Sequence, residues 1–156
     1  HHPVFIDPRA GDRSAVAAAA DVPEISDLRL EQTAVLLGQR ERPHRFARAV
    51  RVGQHVAVSG TAPIGPGGQV PKDPGEQARR CWEIALGALA ELGGHPEDVI
   101  RTRHYITDLD VVDAVSAVHG EIFGDIRPAS TMVLVAGLLD PRWLVEVEVD
   151  AVVPES

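Results

Sequence analysis

The sequence predicts one small α/β domain, of the α+β kind, with two helices on one face of a mixed sheet. Two segments carry apolar residues at spacings of three and four, which is typical of amphipathic helices. The segments before, between and after them alternate in polarity or are apolar throughout, as strands do. In chain order the elements are β-β-α-β-α-β-β. A helix with a single apolar stripe buries that stripe when it packs against one face of one sheet.

Size and charge exclude several classes of function. The chain has 156 residues, the size of one domain, and a formal net charge of −8. That charge argues against nucleic acid or an anionic membrane surface as the partner. No apolar run reaches the roughly 18 residues that a membrane span needs, and the single cysteine, Cys81, allows no intrachain disulfide. We therefore expect no nucleic-acid partner, no membrane partner and a cytoplasmic location.

The N-terminal quarter differs in composition from the rest. Pro and Gly residues, and an alanine run without amphipathic pattern, predict an arm over residues 1–40, followed by the domain over residues 41–156. Within the arm, Asp27–Leu37 is predicted to form either a short helix or an extended segment that ends at Gly38.

A hairpin and a helix are predicted in the first half of the domain. Phe46–Val52 alternates between polar and apolar residues, Gly53-Gln54 predicts a turn, and His55–Ser59 predicts the second strand. The helix begins at Pro74 or Gly75 and ends at Gly93-Gly94. Its apolar stripe consists of Ala78, Cys81, Trp82, Ala85, Leu86, Leu89 and Leu92.

The second half alternates between strands and a second helix. Val99–Thr107 predicts a strand, and Asp110 is expected to cap a helix over Val111–Phe123. Thr131–Ala136 is almost wholly apolar, so both of its faces are expected to be covered. Leu144–Val153 alternates strictly, as a half-buried strand does. The second face of so small a sheet still needs cover, which favours self-association.

Several short motifs, in their order and spacing, resemble the YjgF/YER057c/UK114 (Rid) family over about residues 44–153. They are Val58-Ser59-Gly60 with Pro63, Gln77-Ala78-Arg79 with Leu92-Gly93, Asp98–Thr102 with Ile106–Leu109, Pro128–Thr131, and Val145–Val149. The resemblance implies a chorismate-mutase-like fold and barrel-like homotrimers with small-molecule clefts between subunits. It also implies hydrolysis of reactive imines or enamines without a cofactor, an activity that some members of the family have lost.

Hydrolysis of such an imine needs a cation for the substrate carboxylate, a positioned water and a group that moves protons. The family's carboxylate-binding arginine matches Ser130, whose neutral hydroxyl cannot replace a guanidinium. Arg127 lies three residues earlier, about 10 Å away on an extended chain. It either serves the same cleft or is a solvated arginine at a loop end. Phe46 matches a family tyrosine and is either an apolar cleft wall or a core residue.

The remaining site candidates lie on two predicted strands. Ser59 and Gly60 match the family's cleft, where a glycine lets a ligand approach the backbone; a plain strand-end turn is the alternative. Glu148 matches the carboxylate beside the reacting water. Glu146, Glu148 and Asp150 share one strand face at steps of about 7 Å, so each carboxylate is expected to raise the pKa of the others. The alternative is a solvated face.

Other polar residues are predicted to be structural. His104 lies on the middle strand and faces away from Arg101, Arg103 and Tyr105, while Cys81 lies on the apolar stripe of the first helix. The histidines show no metal-ligand spacing, so no metal is expected, and the family resemblance implies that no other cofactor is required.

The sequence therefore predicts a homotrimer whose clefts bind a small molecule, with hydrolysis of an imine or enamine as the reaction if it is an enzyme. Because Ser130 replaces the arginine, deamination of 2-aminoacrylate is not expected. The alternatives are a non-catalytic ligand-binding or regulatory trimer, and a different reaction in the same cleft.

Overall fold

A computed structural model describes residues 32–35 and 46–155 of the chain. The described part is a six-stranded sheet with two helices. The strands are β1 (Gln32–Val35), β2 (Ala49–Val52), β3 (His55–Thr61), β4 (Val99–Ile106), β5 (Ala129–Leu134) and β6 (Val145–Val152). The helices are α1 (Pro74–Glu91) and α2 (Val112–Phe123), and short 3-10 turns at Pro96–Asp98 and Leu109–Val111 precede β4 and α2.

The sheet is mixed, as predicted, and its strand order is β1-β2-β3-β6-β4-β5. Neighbouring strands are antiparallel except β4 and β5, which are parallel and are joined through α2. The last strand, β6, therefore lies in the middle of the sheet, and β5 forms one edge. The predicted hairpin at Gly53-Gln54 and the alternating strand that ends the chain are both present.

One strand lies outside the predicted order. β1 pairs with β2 in antiparallel register, so the extended alternative for this part of the arm holds over residues 32–35. The sheet thus reaches back into the segment that was assigned to the arm, and the boundary between residues 40 and 41 stays a prediction. The rest of the predicted arm and its connector, residues 1–31 and 36–45, lies outside the described residues.

Helix α1 has the signals that its sequence predicts at both ends. The Asp73 carboxylate accepts a hydrogen bond from the Glu76 amide at 3.0 Å, and Pro74 follows it at the first helical position. At the other end, Gly93 adopts a φ of 86°, where a side chain would be strained, and terminates the helix. The buried stripe, with Cys81, Trp82 and Leu89 among its members, faces the sheet.

Helix α2 begins differently from the prediction. Asp110 does not cap it: Val111 precedes the helix, and no side chain caps the helix there. Asp108 caps the 3-10 turn before α2, where its carboxylate accepts a hydrogen bond from the Asp110 amide at 2.8 Å, because the extended chain ends at Asp108. The helix ends at Phe123, and the turn that follows is closed by Arg127, whose φ is 55° and whose amide donates to the Phe123 carbonyl at 2.9 Å.

The helices cover one face of the sheet, and the core lies between. Every second residue of β6, from Val145 to Ala151, is buried under α1, and Trp82 and Phe123 are the largest of the side chains that are less than 2% exposed. The other face has no helix in the part of the chain that the structure describes. We call it the open face and define it by Ser59 on β3, Arg103 and Tyr105 on β4, Thr131 on β5, and Glu146, Glu148 and Asp150 on β6.

The expectation that the apolar strand is covered on both faces is wrong for the single chain. The strand is β5, which spans Ala129–Leu134 rather than residues 131–136, and most of it is exposed because it lies at the edge of the sheet. Val133 and Leu134 remain 42% and 54% exposed. The predicted first strand is also shorter, since β2 begins at Ala49 and leaves Phe46 outside the sheet. Within the described residues, no helix has the length and apolar character that crossing a membrane requires.

Candidate functional site

A network of charged side chains lies on the open face. The Arg103 guanidinium donates to Glu148 at 3.4 Å and to Asp150 at 3.2 Å, and the Tyr105 hydroxyl donates to the Glu148 carboxylate at 2.6 Å. The strand register causes these contacts, because Arg103 stands opposite Glu148 on neighbouring antiparallel strands. Glu148 is therefore an acceptor bound to two donors of its own chain.

The tyrosine in this network has a pKa above its ordinary value. Its hydrogen bond to Glu148 raises the pKa of Tyr105, because an ionised phenolate could not donate to the carboxylate; burial and the negative charge of Glu148 act in the same direction. The phenol therefore stays protonated and holds the Glu148 carboxylate in place at neutral pH.

A second carboxylate, Glu146, lies at the other end of the same strand face. It is half-buried, and a Cβ built on Gly60 would lie 3.4 Å from its carboxyl carbon. Burial raises the pKa of Glu146, the Arg48 charge opposes this rise, and Glu148 adds to it. The predicted rise in carboxyl pKa thus holds for Glu146, the residue that contacts the strand-end glycine.

The glycine lies at an irregularity of β3. The pairing of β3 with β6 shifts register between Val58 and Thr61, and Gly60 is exposed there. The buried Arg48 guanidinium donates to the Gly60 carbonyl, and the Ser59 hydroxyl donates to the Ala47 carbonyl at 2.7 Å. These bonds fix the strand end beside Glu146. Gly60, Glu146 and Arg48 together form a small polar corner of the open face.

Ser130 lies on the opposite side of the sheet from both carboxylates. It pairs with Thr102, whose side chain is buried on the helix side, and the Thr102 hydroxyl donates to the Ser130 hydroxyl at 2.9 Å. The same Thr102 oxygen lies 2.8 Å from Nε2 of His119 on α2. Within one chain, the structure therefore separates Ser130 from the open face, where Thr131 is the β5 residue beside Arg103.

The two remaining candidates are exposed. Arg127 takes part in the turn that closes α2, through its backbone amide, and its side chain is solvated. Phe46 is 43% exposed, so the core-residue alternative for it is wrong and the apolar-wall alternative stays open.

The residues predicted to be structural lie in the core. His104 is 2% exposed, its ring packs edge-on against Trp82 at 5.4 Å, and burial and the neighbouring His119 lower its pKa to about 4. Cys81 is buried, and burial raises the pKa of its thiol far above the ordinary value. A thiol that keeps its proton in this way is inert as a nucleophile.

Sequence reasoning missed the role of four residues: Arg48, Arg103, Tyr105 and Thr102. Strand alternation indicated that Arg103 and Tyr105 share a face, but nothing in the sequence says that the last strand inserts beside β4. That insertion is what brings Glu148 to them. No group of three potential metal ligands occurs among residues 32–35 and 46–155.

An apolar groove of about 250 Å³ lies in the helix layer and is lined by Arg79, Trp82, Glu83, Leu86 and Ile122. None of the predicted site residues lines it. It lacks the convergent polar groups of a catalytic pocket, because its two charged residues reach solvent: Arg79 pairs with Glu121 at 2.7 Å and Glu83 pairs with Arg80 at 3.1 Å.

The fold and the site define a small α+β protein with two helices on one sheet face and with acidic, hydrogen-bonded groups on the other. A sequence model of the family described as Endoribonuclease L-PSP matches residues 39–153. An uncharacterized protein of Streptomyces coelicolor is 42% identical over 117 residues, which is 71% of this chain and 84% of that protein.

Solved structures show the same fold. The crystal structure of Rv2704 from Mycobacterium tuberculosis, a member of the YjgF/YER057c/UK114 family, has a TM-score of 0.72 at 39% identity, over 78% of this chain and 99% of that chain. Escherichia coli TdcF with bound serine has a TM-score of 0.66 at 27% identity, over 77% and 92% of the two chains. The chain belongs to the YjgF/YER057c/UK114 family, as the sequence motifs indicated.

Proposed function

We propose that the chain forms a homotrimer whose intersubunit clefts bind a small carbonyl or imine compound and hydrolyse an imine or enamine. The observation that carries the chemistry is the position of Glu146: a half-buried carboxyl with a raised pKa, beside the accessible backbone of Gly60. A carboxyl in that state supplies a proton near neutral pH more readily than a solvated one does.

Exposed apolar surface supports the assembly. Val52 on β2, Val152 on β6, and Val133 and Leu134 on β5 are each between 41% and 54% exposed. A second copy of the chain would remove this surface from water. Proteins of this family are typically trimeric.

The separation of the candidate residues supports a cleft between subunits. Ser130 and Glu146 lie on opposite faces of one sheet, so a single chain cannot direct both at one ligand. The edge strand β5 of one subunit, with Ser130, would meet the open face of the next, with Ser59, Gly60 and Glu146. Arg127 and Phe46 are exposed and would line the same seam, Phe46 as an apolar wall.

The reaction then needs only water. An enamine first becomes the imine: its terminal carbon takes a proton from water, and its nitrogen returns one to the solvent. The imine nitrogen takes a proton from Glu146, water adds to the imine carbon, and the Glu146 carboxylate recovers a proton from that water. Glu146 then gives this proton to the carbinolamine nitrogen, and its carboxylate takes the hydroxyl proton as the C–N bond breaks, so that ammonia leaves and a carbonyl compound remains. Burial keeps the pKa of Glu146 high, and the negative charge of Glu148, which Arg103 and Tyr105 hold in place, adds to the rise.

One relative supports a small polar ligand. The TdcF structure contains bound serine, which offers a carboxylate, an amine and a hydroxyl. In the present chain the neutral Ser130 favours a ligand that is less dependent on a cation. The ribonuclease in the family's description is not favoured, because the net charge is −8 and the open face carries Glu146, Glu148 and Asp150.

A binding function without catalysis is the second candidate, and one observation favours it. Glu148, the carboxylate that the family resemblance singled out, already accepts hydrogen bonds from Arg103 and Tyr105, so both of its oxygens have partners within the chain. If Glu146 is also inactive, the clefts would hold a ligand and leave it unchanged.

An imine-trapping assay separates the two candidates. Amine oxidase generates uncharged imines in situ, amino-acid oxidase generates 2-imino acids, and semicarbazide traps whatever imine survives. We expect the protein to lower the amount of trapped uncharged imine and to raise the rate of carbonyl release. Glu146→Gln should reduce the rate more than tenfold, and the matched control Glu148→Gln should reduce it less.

The outcomes are distinct. Equal loss in both variants would mean that Glu146 has no special role. No acceleration with any imine, together with a rise in Tm on addition of small carbonyl compounds, would support the binding function. Light scattering that gives the mass of a monomer at micromolar concentration would contradict the assembly and the clefts with it.

A further inference from the structure

Ser130 does not stand alone, since it ends a chain of hydrogen bonds that runs along the helix side of the sheet into α2. The Thr102 hydroxyl donates to the Ser130 hydroxyl at 2.9 Å, and Nε2 of His119 lies 2.8 Å from the same Thr102 oxygen. Thr102 is fully buried, His119 is half-buried and Ser130 is exposed. The chain therefore connects the interior of the domain to the surface that the proposed cleft would use.

The direction of this chain depends on the tautomer of His119. A threonine hydroxyl has a single proton to donate. With the ring proton on Nε2, His119 donates to Thr102 and Thr102 donates to Ser130. The Ser130 oxygen is occupied as an acceptor, while its own proton remains available to a ligand.

The His119 ring is held in place by aromatic neighbours. The ring centroids of Phe123, His104 and Trp82 lie 4.8 Å, 5.1 Å and 5.9 Å from it. Burial lowers the pKa of His119, so the imidazole is neutral at pH 7. All three members of the chain are thus uncharged, and the ring that starts it has little freedom to turn away.

We propose that Thr102 and His119 are positioning residues that present the Ser130 hydroxyl as a hydrogen-bond donor to the carbonyl oxygen of an uncharged ligand. A single neutral O–H donor suits a carbonyl oxygen, whereas a carboxylate needs charge-assisted partners to compensate for its loss of water. The proposal deepens the proposed function and rests on it only for the place of Ser130 in the cleft. It assigns a specificity to this strand end: carbonyl compounds and imines without a carboxylate.

Two measurements test the proposal without requiring turnover. The first is the ¹⁵N resonance of His119 Nε2 in the full-length protein, identified by its loss in His119→Gln, which shows directly whether this nitrogen carries a proton. The second is binding of two probes, pyruvamide and pyruvate, followed by NMR shift changes. We expect a protonated Nε2, and tighter binding of pyruvamide than of pyruvate.

The variants separate positioning from folding. Thr102→Val keeps the shape of the residue and removes the hydroxyl, and we expect pyruvamide binding to weaken about fivefold, the worth of one neutral hydrogen bond. Ser130→Ala should weaken it equally, and the double variant no further. Thr102→Ser restores the hydroxyl and should rescue binding, while His119→Gln keeps an amide donor and should do better than His119→Phe.

Each outcome decides. Any one of four results would overturn the inference: an Nε2 without a proton, tighter binding of pyruvate than of pyruvamide, no pyruvamide binding at tens of millimolar, or wild-type pyruvamide binding in Thr102→Val. Failure of the proposed function looks different: pyruvamide would bind and respond to Thr102→Val, yet no imine would be hydrolysed. Conversely, imine hydrolysis that persists in Thr102→Val, with pyruvamide binding unchanged, would overturn the positioning role alone.

Discussion

Burial of His104 should make the stability of the protein fall on mild acidification. The ring is 2% exposed and packs against Trp82 and His119, so that burial and the neighbouring histidine lower its pKa from 6.5 to about 4. The fold thus favours the neutral ring. Its contribution to stability is fully present above pH 6.5 and is lost as the pH falls towards 4, because the unfolded chain takes up the proton first.

The size of the effect follows from the two pKa values. With 6.5 in the unfolded chain and about 4 in the native protein, the free energy of unfolding should drop by about 0.8 kcal/mol at pH 6 and by about 2 kcal/mol at pH 5, relative to pH 7.5. His119 adds to the loss, since burial lowers its pKa too. Glu146 acts in the opposite direction: its raised pKa favours the native state as the pH falls through that value.

Urea unfolding at pH 7.5, 6 and 5, at one fixed protein concentration, measures this slope. The matched control is His104→Phe, which keeps a ring against Trp82 and removes the titrating group. Between pH 7.5 and pH 5 the control should lose about 2 kcal/mol less than the wild type, because only the contribution of His104 is removed and those of His119 and Glu146 remain. If both proteins lose the same free energy between pH 7.5 and pH 5, the argument from burial is wrong.

Three further predictions follow from single contacts. Gln77→Leu removes a buried amide that donates to two carbonyls at 2.7 and 2.9 Å and accepts from the Leu144 amide at 2.8 Å. The free energy of unfolding measured in urea should fall by about 3 kcal/mol, and a fall below about 1 kcal/mol would contradict this prediction. Gly60→Val places a side chain against Glu146 and should abolish imine hydrolysis while circular dichroism is unchanged; full activity would exclude this corner as the site. The chain has one tyrosine, so absorbance at alkaline pH reports Tyr105 alone, and Glu148→Gln should lower its titration midpoint; an unchanged midpoint would show that no hydrogen bond holds the phenol.

Periodicity predicted the fold well because it reports burial, and burial decides which face each residue takes. The helix stripe of α1 and the alternation of β6 were readable for this reason, and the structure places Val145 and Val147 inward and Glu146 and Glu148 outward. The cap predicted for α2 at Asp110 is absent, because Asp108 caps the 3-10 turn before the helix and Val111, at the start of α2, has no capping side chain.

The site was less predictable because it depends on which strands are neighbours. Sequence alternation can say that Ser130 and Glu148 point to some face, but only the pairing of β4 with both β5 and β6 shows that these faces are opposite. The exposure of β5 is a second example. Its apolar sequence predicts burial, but its position at the edge of the sheet leaves most of its residues exposed to solvent in the single chain.

Strand β4 contributes side chains to both faces of the sheet, and this arrangement limits which substitutions the strand can accept. Its residues alternate between the open face, where Arg103 and Tyr105 hold Glu148, and the helix face, where Thr102 holds Ser130 and His104 packs in the core. A shift of one residue in its register would exchange the two sets, burying a guanidinium under α2 and exposing a histidine. The register that buries the apolar side chains of the core therefore also determines which polar groups each face of the sheet presents to a ligand. For this reason we expect substitutions along β4 to change stability and ligand binding together, whereas substitutions at Ser130 should change binding alone.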